Sequence, residues 1–157
     1  VDYLPLILHL FIFLFRRVLQ NYKDMLRFSL VIKINKLYRR NMPAAELYDS
    51  VRGLWRASIN NVQNVEYVFG VYNSLIVAVY KPTQWYRCKD KPEKRPRQDE
   101  ILTLQTGNRV FFVDKNFELG LPLDDNEAFY YGKSIAGLKL NQSAQNPITY
   151  LNPKCSS

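Results

Sequence analysis

The sequence predicts an α+β fold, a small β-barrel of about five to six mostly antiparallel strands with one packed helix. The first indication is a pair of apolar runs, 65–72 and 75–80, that are rich in Val, Ile, Phe and Tyr. These residue types favour strands. The Asn73-Ser74 dipeptide between the runs suits a two-residue hairpin turn, because Asn tolerates positive φ. Neither run alternates cleanly between apolar and polar residues, which indicates strands covered on both faces.

The second indication is a helix predicted over 43–55. Pro43 is tolerated in the first turn of a helix, and apolar residues then recur at the spacing of one helical face. These apolar positions are Leu47, Val51, Leu54 and Trp55. Arg52 and Arg56 are expected one turn apart on a different face. The helix should therefore pack its apolar face on the sheet and leave its arginines outside.

The remaining strands are predicted from short apolar or alternating runs between turn residues. In the first of them, 28–37, Leu30, Ile32 and Ile34 fall on one side of the strand. The other predicted strands are 101–104, 109–113, 128–131 and 148–151. Polar or charged loops are expected at 58–64, 82–100 and 114–127.

A hydrophobic extension, 1–26, is expected to be a helix outside the barrel, and residues 27–152 are expected to form a single domain. Its apolar run, 4–15, is shorter than the roughly twenty residues that a membrane-spanning helix needs. Three interpretations stay open: an added helix, a short membrane anchor, or sequence that is not native to the protein, with translation starting at Met25. The first and third are favoured, so a membrane is not the expected partner.

The composition favours an anionic partner. The chain has 157 residues, with 22 Lys and Arg against 14 Asp and Glu, which gives a formal net charge of +8. A basic balance of this size favours nucleic acid or a membrane surface. The single His and the two distant Cys residues, Cys88 and Cys155, lack the spacing of a metal site, so neither a metal nor a cofactor is expected. Two such thiols fit a reduced cytoplasmic compartment.

No catalytic motif with specific spacing is present in the sequence. There is no Gly-rich phosphate loop and no nucleophile elbow, and the one His, His9, lies in the apolar run. The acidic residues Asp124, Asp125 and Glu127, followed by Lys133, keep a metal-dependent nuclease or nucleotide hydrolase as an alternative. Adjacent Asp residues near Gly and Pro more often form a solvated turn, so a non-enzymatic role is favoured.

Aromatic residues interleaved with cations give the stronger functional signal. Aromatic faces stack on bases, which contributes about 1–3 kcal/mol per base, and Lys and Arg neutralise phosphates. The predicted nucleic-acid-binding residues are Arg39, Arg40, Arg52, Trp55, Arg56, Tyr72, Trp85 and Arg87. Trp85, close after a Pro and beside Arg87, is the best candidate for a stacking residue. For Trp55 and Tyr72, packing within the domain is the alternative.

Four segments in this order carry a resemblance to a known family: a strand, LVIKINK, a helix, LYDSVRGLW, and a hairpin, YVFGVYN with SLIVAVYKP, followed by Trp85 and Tyr86. The arrangement resembles the PUA-like superfamily of small pseudo-barrels, which includes the ASCH, EVE, YTH and SRA branches. This resemblance implies a nucleic-acid or nucleotide ligand and, in several branches, a modified base held in an aromatic pocket. The resulting prediction is a DNA- or RNA-binding module that reads a modified base.

A third alternative is a protein-interaction subunit of a bacterial or phage defence or regulatory system. The hairpin or the charged 82–100 loop would then hold a protein partner. A basic nucleic-acid reader can also be such a subunit, so the sequence does not separate the two. The oligomeric state is left open.

Overall fold

The computed structural model describes residues 3–26, 29–90, 107–138 and 147–151. The described strands are β1 (Ser29–Lys33), β2 (Gly53–Trp55), β3 (Tyr67–Tyr72), β4 (Leu75–Tyr80), β5 (Gln84–Arg87), β6 (Val110–Val113) and β7 (Ile148–Leu151). They form a four-stranded sheet in the order β4-β3-β1-β7 and a three-stranded sheet in the order β2-β6-β5. Within this part of the chain the two sheets are separate, so the predicted barrel closure is not confirmed.

Helices accompany both sheets, and the α+β class is confirmed. The described helices are α1 (Leu4–Leu26), α2 (Ala44–Arg52), α3 (Ile59–Val62), α4 (Lys115–Glu118) and α5 (Asp125–Tyr130), with a 3-10 turn at Ala136–Leu138. β1 and β3 are parallel, and α2 belongs to the crossover that joins them. The other strand pairs are antiparallel.

Apolar clusters cover the four-stranded sheet on both faces. One cluster combines residues of this sheet, such as Leu30 and Val68, with Val51 of α2 and with Trp85 and Phe112 of the three-stranded sheet. The second cluster covers the opposite face and includes Val31, Val71, Phe69, Tyr130 and Ile135. Burial on both faces explains why the hairpin strands do not alternate between apolar and polar residues.

The hairpin at 65–80 is confirmed. β3 and β4 pair from Val68↔Tyr80 to Tyr72↔Leu75, with a register shift after Gly70. Asn73 and Ser74 both have positive φ, 46° and 64°, which is the conformation of a type I′ turn. The strand at 148–151 is also confirmed, and it pairs with β1 at the other side of the sheet.

The helix predicted over 43–55 ends earlier than expected. α2 ends at Arg52, and Gly53 leaves the helix with φ 144° and begins β2, which pairs with β6. The prediction that Arg52 and Arg56 lie one helical turn apart is therefore wrong. Helical periodicity continued through Leu54 and Trp55 by coincidence, because a short strand also directs apolar side chains towards the core.

Four further predictions need correction. Residues 128–131, predicted as a strand, lie mostly in α5, which Asp124 caps by accepting a hydrogen bond from the Glu127 amide. The predicted loop at 58–64 contains α3, the predicted loop at 82–100 contains β5, and the predicted loop at 114–127 contains α4. The sequence did not predict β5 as a strand, because Trp85 is its one buried residue. Residues 91–100 of that loop and the strand predicted at 101–104 lie outside the described residues.

The first half of α1, up to Arg16, carries its apolar side chains on the surface. Leu4, Leu6, Phe11 and Phe13 are each at least 59% exposed, and residues 3–16 are exposed throughout. None of these residues belongs to either apolar cluster. Among the helices that the structure describes, none combines the length and the apolar character needed to cross a bilayer.

Candidate nucleic-acid interface

One end of the three-stranded sheet brings together an aromatic residue and several cations. Val110 of β6 has a cross-strand neighbour on each side, Trp55 of β2 and Arg87 of β5. Neighbouring strands lie about 4.8 Å apart, so Trp55 and Arg87 are separated by roughly two strand spacings, about 10 Å. Arg87 is exposed and Trp55 is half-buried.

Two further arginines complete this end of the sheet. Arg56 follows β2 directly and is exposed, and Arg109 precedes β6 directly. The Arg109 Nη1 donates a weak hydrogen bond of 3.4 Å to the Leu54 carbonyl oxygen, which keeps its side chain beside β2. Trp55, Arg56, Arg87 and Arg109 are called the arginine end below. The sequence prediction included all of these except Arg109. Its position at the start of the predicted strand 109–113 is the sequence signal that could have identified it.

Trp55 is fixed in place by its own indole. Its Nε1 donates a hydrogen bond of 2.8 Å to the Val51 carbonyl oxygen, an acceptor that the end of α2 leaves open. The ring also packs against the first apolar cluster. Trp55 therefore combines a core contact with a partly exposed ring, the form that a stacking platform takes.

Arg52 lies in a different environment from Arg56. It is only 7% exposed, and its Nε donates to the Asp49 carboxylate at 2.8 Å. Its guanidinium lies over the rings of Tyr48 and Phe111, at 5.1 Å and 5.7 Å from their centroids. The Glu118 carboxylate also lies nearby, 3.9 Å from Nη1. This cation is balanced inside the domain, so it does not join the arginine end as a phosphate contact.

The residues around Arg52 form a small polar network. The Tyr48 hydroxyl donates to Glu118 at 3.0 Å and accepts a hydrogen bond of 2.8 Å from the Asp114 amide. Burial is the largest of the effects that raise the pKa of Tyr48, so its phenol stays neutral and acts as both donor and acceptor. The network joins α2 to the start of α4.

Trp85 lies in the core. Its ring packs on Phe112 with the centroids 5.1 Å apart, and the residue is 7% exposed. The buried Nε1 has no hydrogen-bond partner among the described residues. The structure thus gives Trp85 a packing contact at the position where the sequence suggested a stacking residue.

The other predicted residues lie near the end of the four-stranded sheet. Tyr72 packs on Tyr38 in a tilted arrangement, with the ring centroids 4.7 Å apart. Arg39 forms an ion pair with Glu46 of α2, and Arg40 is exposed. They belong to the connector after β1 and to the hairpin, so the structure divides the predicted residues between two regions and a buried group.

Two of the three carboxylates of the enzymatic alternative, Asp124 and Glu127, are accounted for by the fold. Asp124 caps α5 by accepting a hydrogen bond of 2.7 Å from the Glu127 amide, and Glu127 itself is buried. The Lys133 ammonium lies over the Phe129 ring, 5.1 Å from its centroid. In the described ranges, no group of three His, Cys, Asp or Glu residues is arranged to hold a metal ion. This geometry does not favour the metal-dependent alternative.

Glu127 gives a pH-dependent prediction. Burial first, and then the charge of Asp124, raise the pKa of its carboxyl, so the folded chain disfavours the ionised form. As the pH rises through the window between the ordinary and the raised pKa, the native chain loses stability. We expect Glu127→Gln to increase the free energy of unfolding relative to the native chain at pH 7.5, with little increase at pH 3.5. Urea denaturation at both pH values measures the difference.

The control for this experiment is Glu66→Gln, which makes the same charge change at an exposed position. It corrects for the general effect of added positive charge on a basic chain. Equal effects of Glu127→Gln and Glu66→Gln at the two pH values would contradict the prediction.

Comparisons with protein-family models, with curated proteins and with solved structures found no match to this chain.

Proposed function

We propose that this protein is a nucleic-acid-binding module that holds DNA or RNA at the arginine end of its three-stranded sheet. The observation that carries the proposal is the strand register, which sets Trp55 and Arg87 on either side of Val110. Arg56 follows Trp55 directly in the chain, and Arg109 directly precedes Val110. In this mode the arginines contact phosphates and the exposed part of the Trp55 ring stacks on a base.

The overall charge supports the same proposal. A formal net charge of +8 attracts a polyanion over a distance of roughly one Debye length, about 8–10 Å at physiological salt. Contacts to phosphate carry no base information, so they account for affinity and orientation. Stacking on Trp55 adds affinity with little preference among bases.

The finer part of the proposal is a PUA-like module that reads a modified base. It is supported by the element order, in which a strand, a helix and an apolar hairpin follow each other as in the resemblance described above. In this proposal, the two sheets are parts of one small barrel. Parallel titrations with oligonucleotides that differ in one methylated base test the reading of a modified base.

The binding mode predicts a specific change in salt dependence. We expect the double variant Arg56→Gln/Arg87→Gln to bind single-stranded oligonucleotides roughly 10- to 30-fold more weakly at 0.1 M salt, because two phosphate contacts are lost. Each contact contributes about 0.7 to the magnitude of the slope of log K against log [salt]. The slope of log K against log [salt] should therefore fall by about 1.4. Fluorescence anisotropy with DNA and RNA at several salt concentrations measures both quantities.

The matched control is Lys81→Gln/Lys115→Gln. These exposed lysines lie near the opposite end of the same sheet, where Gln84 pairs with Val113, and the charge change is identical. The control variant should keep a salt slope within about 0.5 of the native value. Absence of binding at low salt by the native chain would contradict the proposed function. Equal salt slopes in the two double variants would show that the arginine end is not the binding site.

A further inference from the structure

A small polar cavity lies at the end of the four-stranded sheet, away from the residues of the arginine end. Its volume is about 100 Å³, and its lining includes Lys33, Asn35, Asn73 and Ser74. Lys33 is the last residue of β1 and lies opposite Val71 of β3 in the parallel register. Strand alternation directs Lys33 to the face that carries Val31 and the second apolar cluster.

The walls of this cavity are held by backbone hydrogen bonds. The Ile135 amide donates to the Ser74 carbonyl oxygen at 2.8 Å, and the Ile76 amide donates to the Lys133 carbonyl oxygen at 2.9 Å. The segment around Ser134 therefore lies along β4 and closes one side. On the other side the Lys33 amide donates to the Pro147 carbonyl oxygen at 2.9 Å. The cavity is thus formed by the fold rather than by one loop.

The lining presents donors and a positive charge. The Asn35 Oδ1 accepts a hydrogen bond of 3.0 Å from the Asn73 amide, which leaves the Asn35 Nδ2 as the donor of that side chain. Ser74 adds a hydroxyl and Lys33 an ammonium group. Among the described residues, the remaining lining residues are Val71, Asn73, Ile135 and Ala136, and none of these carries a carboxylate. This donor set suits an anion with several acceptor oxygens.

The size of the cavity restricts the ligand. A volume of about 100 Å³ is room for several water molecules. It is well below the roughly 300–1,000 Å³ of pockets that enclose drug-sized ligands. A tetrahedral phosphoryl group fits this space, and the rest of a larger ligand would lie outside it.

We propose that this cavity is a phosphoryl-binding subsite, in which the Lys33 ammonium, the Ser74 hydroxyl and the Asn35 amide hold one phosphate group. The subsite is separate from the arginine end and goes beyond the proposed nucleic-acid function. Its test uses small phosphates alone, so it stands or fails independently of polymer binding.

The experiment is a titration of the ¹⁵N-labelled full chain with inorganic phosphate, followed by amide chemical shifts at constant ionic strength. We expect saturable shifts at Asn73, Ser74 and Ile135 with a dissociation constant on the order of 5 mM, and no saturation with chloride. Lys33→Met, which keeps the aliphatic stem, should weaken phosphate binding at least about tenfold. Ser74→Gly should also weaken it, and glycine suits the φ of 64° at this position.

Lys36→Met is the matched control, because Lys36 is an exposed lysine close in sequence that does not line the cavity. It should bind phosphate like the native chain. The absence of saturable shifts at the cavity amides overturns the proposal. An unchanged dissociation constant in Ser74→Gly together with Lys33→Met also overturns it, and Ser74→Gly alone decides the point if Lys33→Met does not fold.

Two further ligands identify the source of the phosphate. A 5′-phosphorylated dinucleotide presents a terminal phosphate, and the unphosphorylated dinucleotide presents an internal phosphodiester alone. Tighter binding of the first than of inorganic phosphate assigns the subsite to a chain end or a nucleotide. Equal binding of both dinucleotides assigns it to a backbone phosphate of the polymer.

Discussion

Gly53→Ala should destabilise the fold by about 3–5 kcal/mol, the sum of a strained backbone and an overpacked contact. Gly53 has φ 144° and ψ 177°, a conformation that residues with a side chain rarely adopt. A Cβ at this position would lie 2.6 Å from the Phe111 Cβ and 2.8 Å from the Val110 carbonyl oxygen. Because backbone atoms of β6 form part of this contact, a rotamer change cannot relieve it. Urea denaturation followed by circular dichroism measures the loss.

Gly120→Ala is the control for backbone conformation alone. Gly120 also has positive φ, 71°, but no heavy atom lies within 4 Å of a Cβ built on it. Its substitution should cost about 1 kcal/mol, the conformational penalty without the clash. A loss at Gly53 no larger than the loss at Gly120 would show that β2 and β6 can separate, and that their close approach does not hold the arginine end together.

Gly53 also shows which feature of this fold the sequence does not determine, namely the residue at which α2 ends. The hairpin was predictable because its composition, its length and its Asn-Ser turn agree. The end of α2 was not, because Gly within a helical pattern fits both a weak last turn and a close contact between strands. Only the tertiary contact with Phe111 decides between them. Because the backbone changes from helix to strand at Gly53, Arg52 lies in the helix and Arg56 follows the strand.

The candidate site was predictable in its residue types and less so in its geometry. Trp55, Arg56 and Arg87 were predicted as ligand contacts. The register of β6 brings Trp55 and Arg87 to one end of the sheet, and Arg56 follows Trp55 in the chain. Trp85 and Arg52 carried the same signal in the sequence, yet both are buried. An aromatic or Arg residue has an apolar body and a polar tip, so its type alone does not show which part faces solvent.

Loss of Arg52 should therefore affect stability rather than binding. Arg52→Leu leaves the Asp49 carboxylate without its 2.8 Å partner and removes the cation from the Tyr48 and Phe111 rings. Breaking a buried ion pair costs about 3–5 kcal/mol. The Asp49 side chain is 26% exposed, so water compensates part of this loss, and we expect about 3 kcal/mol. Nucleic-acid affinity, measured where the variant is folded, should stay within about twofold of the native value.

A double-mutant cycle with Asp49→Ala isolates the ion pair. In the native background we expect Asp49→Ala to destabilise the fold, since the buried guanidinium then loses the Asp49 carboxylate at 2.8 Å, whereas Glu118 lies farther away, at 3.9 Å. In the Arg52→Leu background the same substitution should be neutral or stabilising, because it removes a carboxylate that has already lost its 2.8 Å contact with Arg52. Purely additive losses would show that Arg52 acts through packing on the rings alone. A large loss of affinity in folded Arg52→Leu, with Arg56→Gln unchanged, would instead place the phosphate contact on α2 and contradict the assignment of the arginine end.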